Sequence, residues 1–160
     1  NENDADWEAI IRESVEVKMK VVEADPEEQG ERKILNFGHS IGHALESYYL
    51  STGSPISHGQ AITYGMKAES KMAVDAGILN MPDFQKIIPL IDRTLPWPAA
   101  QIPEASALAS WISRDKKNTS NQLSFSLPER LGSCRWDVTG LDPAPAIEWL
   151  RQQVSAKSFV

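Results

Sequence analysis

Apolar residues recur at helical spacing along almost the whole chain, and the period changes only once. Trp7, Ile10, Ile11, Val15, Val21 and Val22 form one stripe, which predicts a helix over about 7–23 with Asp4 and Asp6 offering N-caps. Asp25-Pro26-Glu27-Glu28 has the cap, proline and acid of a helix start, but Gly30 follows soon, so only a short turn is expected. A long helix is expected from Glu31 or Ile34 to Leu50, then a loop through Ser51 to Pro55. A third helix is expected from near His58 to Gly77, and a fourth over 81–94, bent or broken at Pro89. Leu95-Pro96-Trp97-Pro98 reads as a linker and 104–115 as a helix. The period then switches. Residues 122–127 alternate, and 133–138 can pair with them as a hairpin across Pro128 to Gly132. Asp142 and Pro143 open a last helix to about Ala156. The fold expected is mainly α, one helical domain over 1–160 with one small antiparallel β-hairpin.

At 160 residues the chain can bury a core without disulfides or metal staples. It cannot hold both a complete dinucleotide-binding domain and a separate substrate domain. No membrane span is expected, because the longest uncharged run, 47–66, is broken by Ser, Thr, Gly, Pro, His and Gln. Eleven acids and three bases fall in residues 1–31, against eleven acids and thirteen bases in the rest. The body is thus near neutral behind an acidic start, and neither part has the basic stripe that nucleic-acid binding needs. The single cysteine, Cys134, excludes an intrachain disulfide and fits a reducing cytoplasm.

The chemistry concentrates between Glu28 and His58. On one continuous helix Arg32, Asn36, His39 and His43 are spaced 4, 3 and 4, so they share a face, while Ile34, Ile41, Leu45 and Tyr48 form the face for the core. The third histidine, His58, follows a loop and opens the next helix. Gly38 and Gly42 lie inside the helical run, each costing about 1 kcal/mol relative to Ala, which suggests that something approaches the backbone closely there. Two histidines one turn apart are commonly incidental surface residues. All three within 20 residues, beside those glycines, are less ordinary. Neutral imidazoles suit Zn²⁺, but two do not complete a catalytic site. A third ligand would come from a carboxylate here or from another segment. Lys18 lies in line with the first helix's apolar stripe, either snorkelling to the surface or aimed into a cleft to hold an anion. Asp115-Lys116-Lys117-Asn118 follows a helix, where lysines favour the C-terminal dipole.

These residues resemble a known family. Arg32-x-x-x-Asn36-Phe37-Gly38-His39-Ser40-Ile41-Gly42-His43-Ala44-Leu45-Glu46, then His58-Gly59-Gln60-Ala61 and Gly65-Met66, resemble the C-terminal domain of 3-dehydroquinate synthase, a sugar-phosphate cyclase. Lys18-x-x-Val21-Val22, Glu28-x-Gly30-x-Arg32 and Asp115-Lys116-Lys117 fit in the same order, so the resemblance covers nearly the whole chain. It implies an enzyme that turns 3-deoxy-D-arabino-heptulosonate 7-phosphate into 3-dehydroquinate and phosphate in the shikimate pathway of aromatic amino-acid biosynthesis. It implies NAD used transiently and a divalent metal, Zn²⁺ or Co²⁺. It implies His39 and His58 as metal ligands, and His43 with Glu28 as acid/base groups. Lys18, Arg32, Asn36 and one of Lys116 or Lys117 would hold the substrate's carboxylate and phosphate.

Gln60 departs from the family's usual Glu after His-Gly, a position that is not a metal ligand. The family's third zinc ligand, a glutamate, and its NAD-binding fold lie in an N-terminal half. No glycine-rich dinucleotide motif occurs in this chain, so cofactor binding by these residues is not expected. The resemblance therefore implies a C-terminal fragment, inactive by itself, whose partner is its own NAD-binding domain, in a full-length homodimer. Other readings are another sugar-phosphate cyclase, such as a valiolone or 2-deoxy-scyllo-inosose synthase, a metal-dependent polyol dehydrogenase, or a non-catalytic helical interaction domain.

Overall fold

A computed structural model describes residues 6–94, 101–115 and 122–157. Among the described residues, six α-helices, one 3₁₀ segment and one hairpin follow in the order α1 (Trp7–Ala24), 3₁₀ (Glu31–Asn36), α2 (His39–Ser51), α3 (His58–Asp75), α4 (Met81–Thr94), α5 (Ala105–Asp115), β1 (Ser124–Arg130), β2 (Ser133–Thr139) and α6 (Ala144–Lys157). The mainly α architecture with one antiparallel hairpin is the one expected from the periodicity. The expected linker at 95–98 lies outside the described residues. Among these residues no helix is long and apolar enough to cross a membrane.

α3 is the hub, packing against α2, α4, α6 and β1. Tyr64, Ala68, Met72 and Ala73 of α3 are buried with Ile41 and Leu45 of α2, Phe125 and Leu127 of β1, and Ile147 and Leu150 of α6. Lys67 on the same helix is buried and donates to Asp92 of α4 at 2.8 Å. α1 differs from the rest. None of its side chains is buried, Trp7, Ile11 and Val17 are 58, 60 and 59 % exposed, and it packs on the 3₁₀ segment.

The expected long helix over 31–50 is two elements, which corrects the sequence reading. Gly38 adopts φ +84 as the N-cap of α2, and this left-handed residue ends the 3₁₀ segment and re-aims the chain. The close approach inferred from the glycines is the α2–α3 crossing. A Cβ on Gly65 would overlap the Gly38 carbonyl oxygen and stand 2.7 Å from the Gly42 nitrogen. One on Gly42 would stand 3.0 Å from the Ile62 Cα. Gly38, Gly42 and Gly65 thus remove side chains where two backbones nearly touch.

Two smaller corrections concern proline. α4 runs through Pro89 without a break, because Ile87 and Ile91 on either side are buried against the core while Pro89 is exposed. β1 extends past Pro128 to Arg130, leaving Leu131-Gly132 as the turn. In a two-stranded sheet each strand has an unpaired edge, which tolerates proline.

Asp25 organises the entry to the 3₁₀ segment by accepting from the backbone N–H groups of Gln29 at 3.1 Å, Gly30 at 2.8 Å and Arg32 at 3.1 Å. The Gly30 N–H contributes most to holding this carboxyl below its ordinary value of 3.8.

Two outcomes are expected in urea or thermal unfolding. Gly65→Ala destabilises by roughly 1–3 kcal/mol or more, because neither backbone can retreat from the added methyl. Gly59→Ala, where a Cβ meets nothing within 4 Å, leaves stability unchanged or slightly raised. For Asp25 the folded carboxyl is the stronger acid, so its contribution is present above the ordinary 3.8 and is lost as pH falls through the folded value. Wild type should therefore lose stability on acidification below pH 3.8 more steeply than Asp25→Ala, as read from melting temperatures across an acid series.

Candidate functional site

The three histidines converge. His39 and His43 stand one turn apart at the start of α2, and His58 is the first residue of α3. Their ring centroids are 5.2 to 5.7 Å apart, and one ring nitrogen of each lies within 4.8 Å of the others. α3 starts there because Ser57 and Gln60 form a capping box, the Ser57 hydroxyl accepting from the Gln60 N–H and the Gln60 side chain from the Ser57 N–H. Gln60, the departure noted in the sequence, thus fixes the helix that presents His58.

Two of the rings are oriented from behind. His39 Nδ1 lies 3.2 Å from the Phe37 carbonyl oxygen, and His58 Nδ1 lies 3.2 Å from Glu46 Oε2. Donation from Nδ1 to these acceptors leaves each Nε2 lone pair for a metal, the usual arrangement behind ligating imidazoles. Burial holds His39 below its ordinary value of 6.5, with His43 and His58 adding to the effect against the Phe37 carbonyl. That keeps the imidazole neutral, the form that ligates. The donor set therefore fits a divalent ion such as Zn²⁺.

α2 itself is anchored by a residue the sequence reading missed. Glu69 of α3, fully buried, accepts from the N–H of Gly38 at 2.5 Å and of Ile41 at 3.1 Å. It caps a helix 31 residues away in sequence. Glu46 was also missed as an orienting group, although it falls three residues after His43 and so on the histidine face.

A pocket of about 360 Å³ opens beside His39 and His43, lined also by Glu28, Lys33, Asn36, Ser124, Ser126 and Asp137. Asn36 donates to Glu28 Oε1 at 2.8 Å. Arg32 donates to the Pro26 carbonyl at 2.8 Å and lies 3.8 Å from Glu28 Oε2. Asn36, Glu28, His39 and His43 therefore line one pocket, with Arg32 behind Glu28 and outside the lining, and they meet through the bend at Gly38 rather than along one helix face. Lys18 is exposed on α1 and is not part of the pocket lining. Lys116 and Lys117 lie outside the described residues. The hairpin wall, Ser124, Ser126 and Asp137, had no signal in the sequence reading. Cys134 on β2 is half-buried, its thiol pushed up to about 11 mainly by burial, so it is a poor nucleophile.

The sequence profile of the 3-dehydroquinate synthase C-terminal family matches residues 1–118. A 3-dehydroquinate synthase from Pelotomaculum thermopropionicum is 41 % identical over 123 residues, 76 % of this chain and 33 % of that protein. One from Koribacter versatilis is 38 % identical over 151 residues, 90 % of this chain and 39 % of that protein. Among solved structures, 2-epi-5-epi-valiolone synthase from Streptomyces hygroscopicus subsp. jinggangensis 5008, with NAD⁺ and Zn²⁺ bound, matches with TM-score 0.73 and 19 % identity, over 93 % of this chain and 40 % of that one. A 2-deoxy-scyllo-inosose synthase complexed with carbaglucose-6-phosphate, NAD⁺ and Co²⁺ matches with TM-score 0.69 and 23 % identity, over 91 % of this chain and 40 % of that one. The two structures share the fold. The chain spans 33 to 39 % of the length of the two curated relatives named. With its profile match over 118 residues and relatives at this identity, the chain belongs to the 3-dehydroquinate synthase C-terminal family.

Proposed function

We propose that this chain is the metal- and substrate-holding part of a 3-dehydroquinate synthase, acting on 3-deoxy-D-arabino-heptulosonate 7-phosphate to give 3-dehydroquinate and phosphate. The observation that carries the reading is the convergence of His39, His43 and His58 beside a pocket that holds Asn36 and Glu28. When bound, NAD and a divalent metal supply transient hydride acceptance and polarisation of the hydroxyl being oxidised. NAD is held by the part of the relatives' length that this chain does not span.

His39 and His58 would hold the metal, each through the ring nitrogen left free by its Nδ1 partner. His43, exposed at the pocket, moves a proton to or from the substrate at its imidazole nitrogen, and Glu28 serves as a second acid/base group. Asn36 keeps one amide hydrogen for the substrate after donating to Glu28. Arg32, Lys18 and one of Lys116 or Lys117 balance the substrate's anionic groups, with Arg32 the geometric fit for a planar carboxylate or a phosphate. The enzyme is a phosphate-releasing lyase, cytoplasmic, with its own NAD-binding domain as partner and a homodimer as its assembled form.

In the full-length enzyme, His39→Ala and His58→Ala should each abolish bound metal, read by elemental analysis, together with turnover. His43→Ala should retain metal and lower kcat by about 10²–10⁴-fold. Arg32→Ala should act on KM, by roughly 1.5–3 kcal/mol for a lost charge-assisted contact. The 160-residue chain with NAD, Zn²⁺ and substrate should show no turnover. Steady phosphate release from it would overturn the division of labour. Turnover by the full-length enzyme of a valiolone or inosose synthase substrate, but not of the heptulosonate phosphate, would overturn the assigned reaction.

A further inference from the structure

The hairpin wall of the pocket carries a distortion that the metal and substrate roles above do not explain. Phe125 pairs with Val138 and Leu127 with Arg135, so Trp136 and Asp137 together oppose Ser126 in a β-bulge. Asp137 there adopts φ +54, a left-handed conformation that costs a side-chain-bearing residue energy. In this conformation its carboxylate accepts from Lys33 Nζ at 2.6 Å, 104 residues away in sequence. Ser126, across the bulge, donates its hydroxyl to the Lys33 carbonyl, also at 2.6 Å. Lys33 is thereby held at both its backbone and its side chain by two residues that face one another in the sheet.

Stability does not account for this. The Asp137 side chain is 55 % exposed and that of Lys33 27 %, and ion pairs so exposed add little, while the left-handed aspartate subtracts. Position does account for it. Lys33 lies in the 3₁₀ segment between Arg32 and Asn36. That segment is six residues long, beyond the three or four that this tighter helix usually sustains, so its register needs an outside fix. We infer that Asp137 is a positioning residue: through Lys33 it fixes the 3₁₀ segment so that Arg32 and Asn36 present their donors to the anionic groups of the substrate. The inference rests on the substrate-binding role proposed above for those two residues.

Asp137→Gly separates position from stability, because glycine relieves the left-handed strain while deleting the carboxylate. In the 160-residue chain, amide exchange at Lys33 and Phe37, whose N–H groups donate to the Gly30 and Ile34 carbonyls, should quicken by about tenfold, with the melting temperature unchanged or raised. In the full-length enzyme, KM for the heptulosonate phosphate should rise by about tenfold with kcat and bound metal retained. Asp137→Asn, which keeps an acceptor and tolerates the left-handed region, should restore most of that loss. Unchanged exchange in Asp137→Gly overturns the inference whatever the enzyme's substrate. Faster exchange with unchanged KM also overturns it, leaving a purely structural clasp. A wild-type enzyme that does not turn over the heptulosonate phosphate overturns the functional reading and the inference with it, and the exchange result tells that failure from the inference's own.

Discussion

The site rests on a buried carboxyl group. Glu69 accepts two backbone N–H groups at the start of α2, which otherwise lacks a side-chain cap of its own. An acceptor is favoured there by the helix dipole as well as by the unpaired N–H groups. The bond does more than end a helix. His39 and His43 occupy that first turn and a half of α2, so Glu69 sets their position relative to α3. α3 itself begins with His58. One helix therefore carries one histidine of the cluster as its first residue and, eleven residues on, the group that holds the other two in place. The three glycines at the α2–α3 crossing let the backbones come close enough for this reach.

Around that anchor the site is assembled from five stretches of chain. α2 and α3 give the histidines, the 3₁₀ segment gives Arg32 and Asn36, the turn before it gives Glu28, and the hairpin closes the far wall. Each joint is a specific polar bond: Asp25 to the N–H groups of Gly30 and Arg32, Glu28 to Asn36, Ser40 to the Ser124 carbonyl at 3.1 Å, and Ser126 with Asp137 to Lys33. Such bonds cost little when all are made and more when one partner is removed, so the pocket's shape is set cooperatively.

Much of this was legible from local signals. The helical period placed every helix to within a few residues except the start of α2, and its change to alternation placed the hairpin. The histidine spacing and the glycine costs pointed to the right segment and to a close approach. The misses share a cause. Gly38 reads as a glycine tolerated within a helix, since nothing local says that its φ is positive. Glu69 and Asp137 act across 31 and 104 residues, where no periodic pattern links donor to acceptor. Pro128 reads as turn because its neighbours are turn residues, whereas the unpaired edge of a two-stranded sheet admits it.

α1 stands outside this network of anchors. It has no buried side chain, and β-branched residues at 10, 11, 15, 17, 21 and 22 lower its intrinsic helix preference. Its packing on the 3₁₀ segment therefore matters more to its position than its own propensity does. Lys18 rides on this helix, exposed and outside the pocket lining. The charge that Lys18 brings to the surroundings of the site is therefore placed by eighteen residues with no anchor in the core, whereas Asn36 is placed by a bond to Glu28 and its segment by bonds to the hairpin.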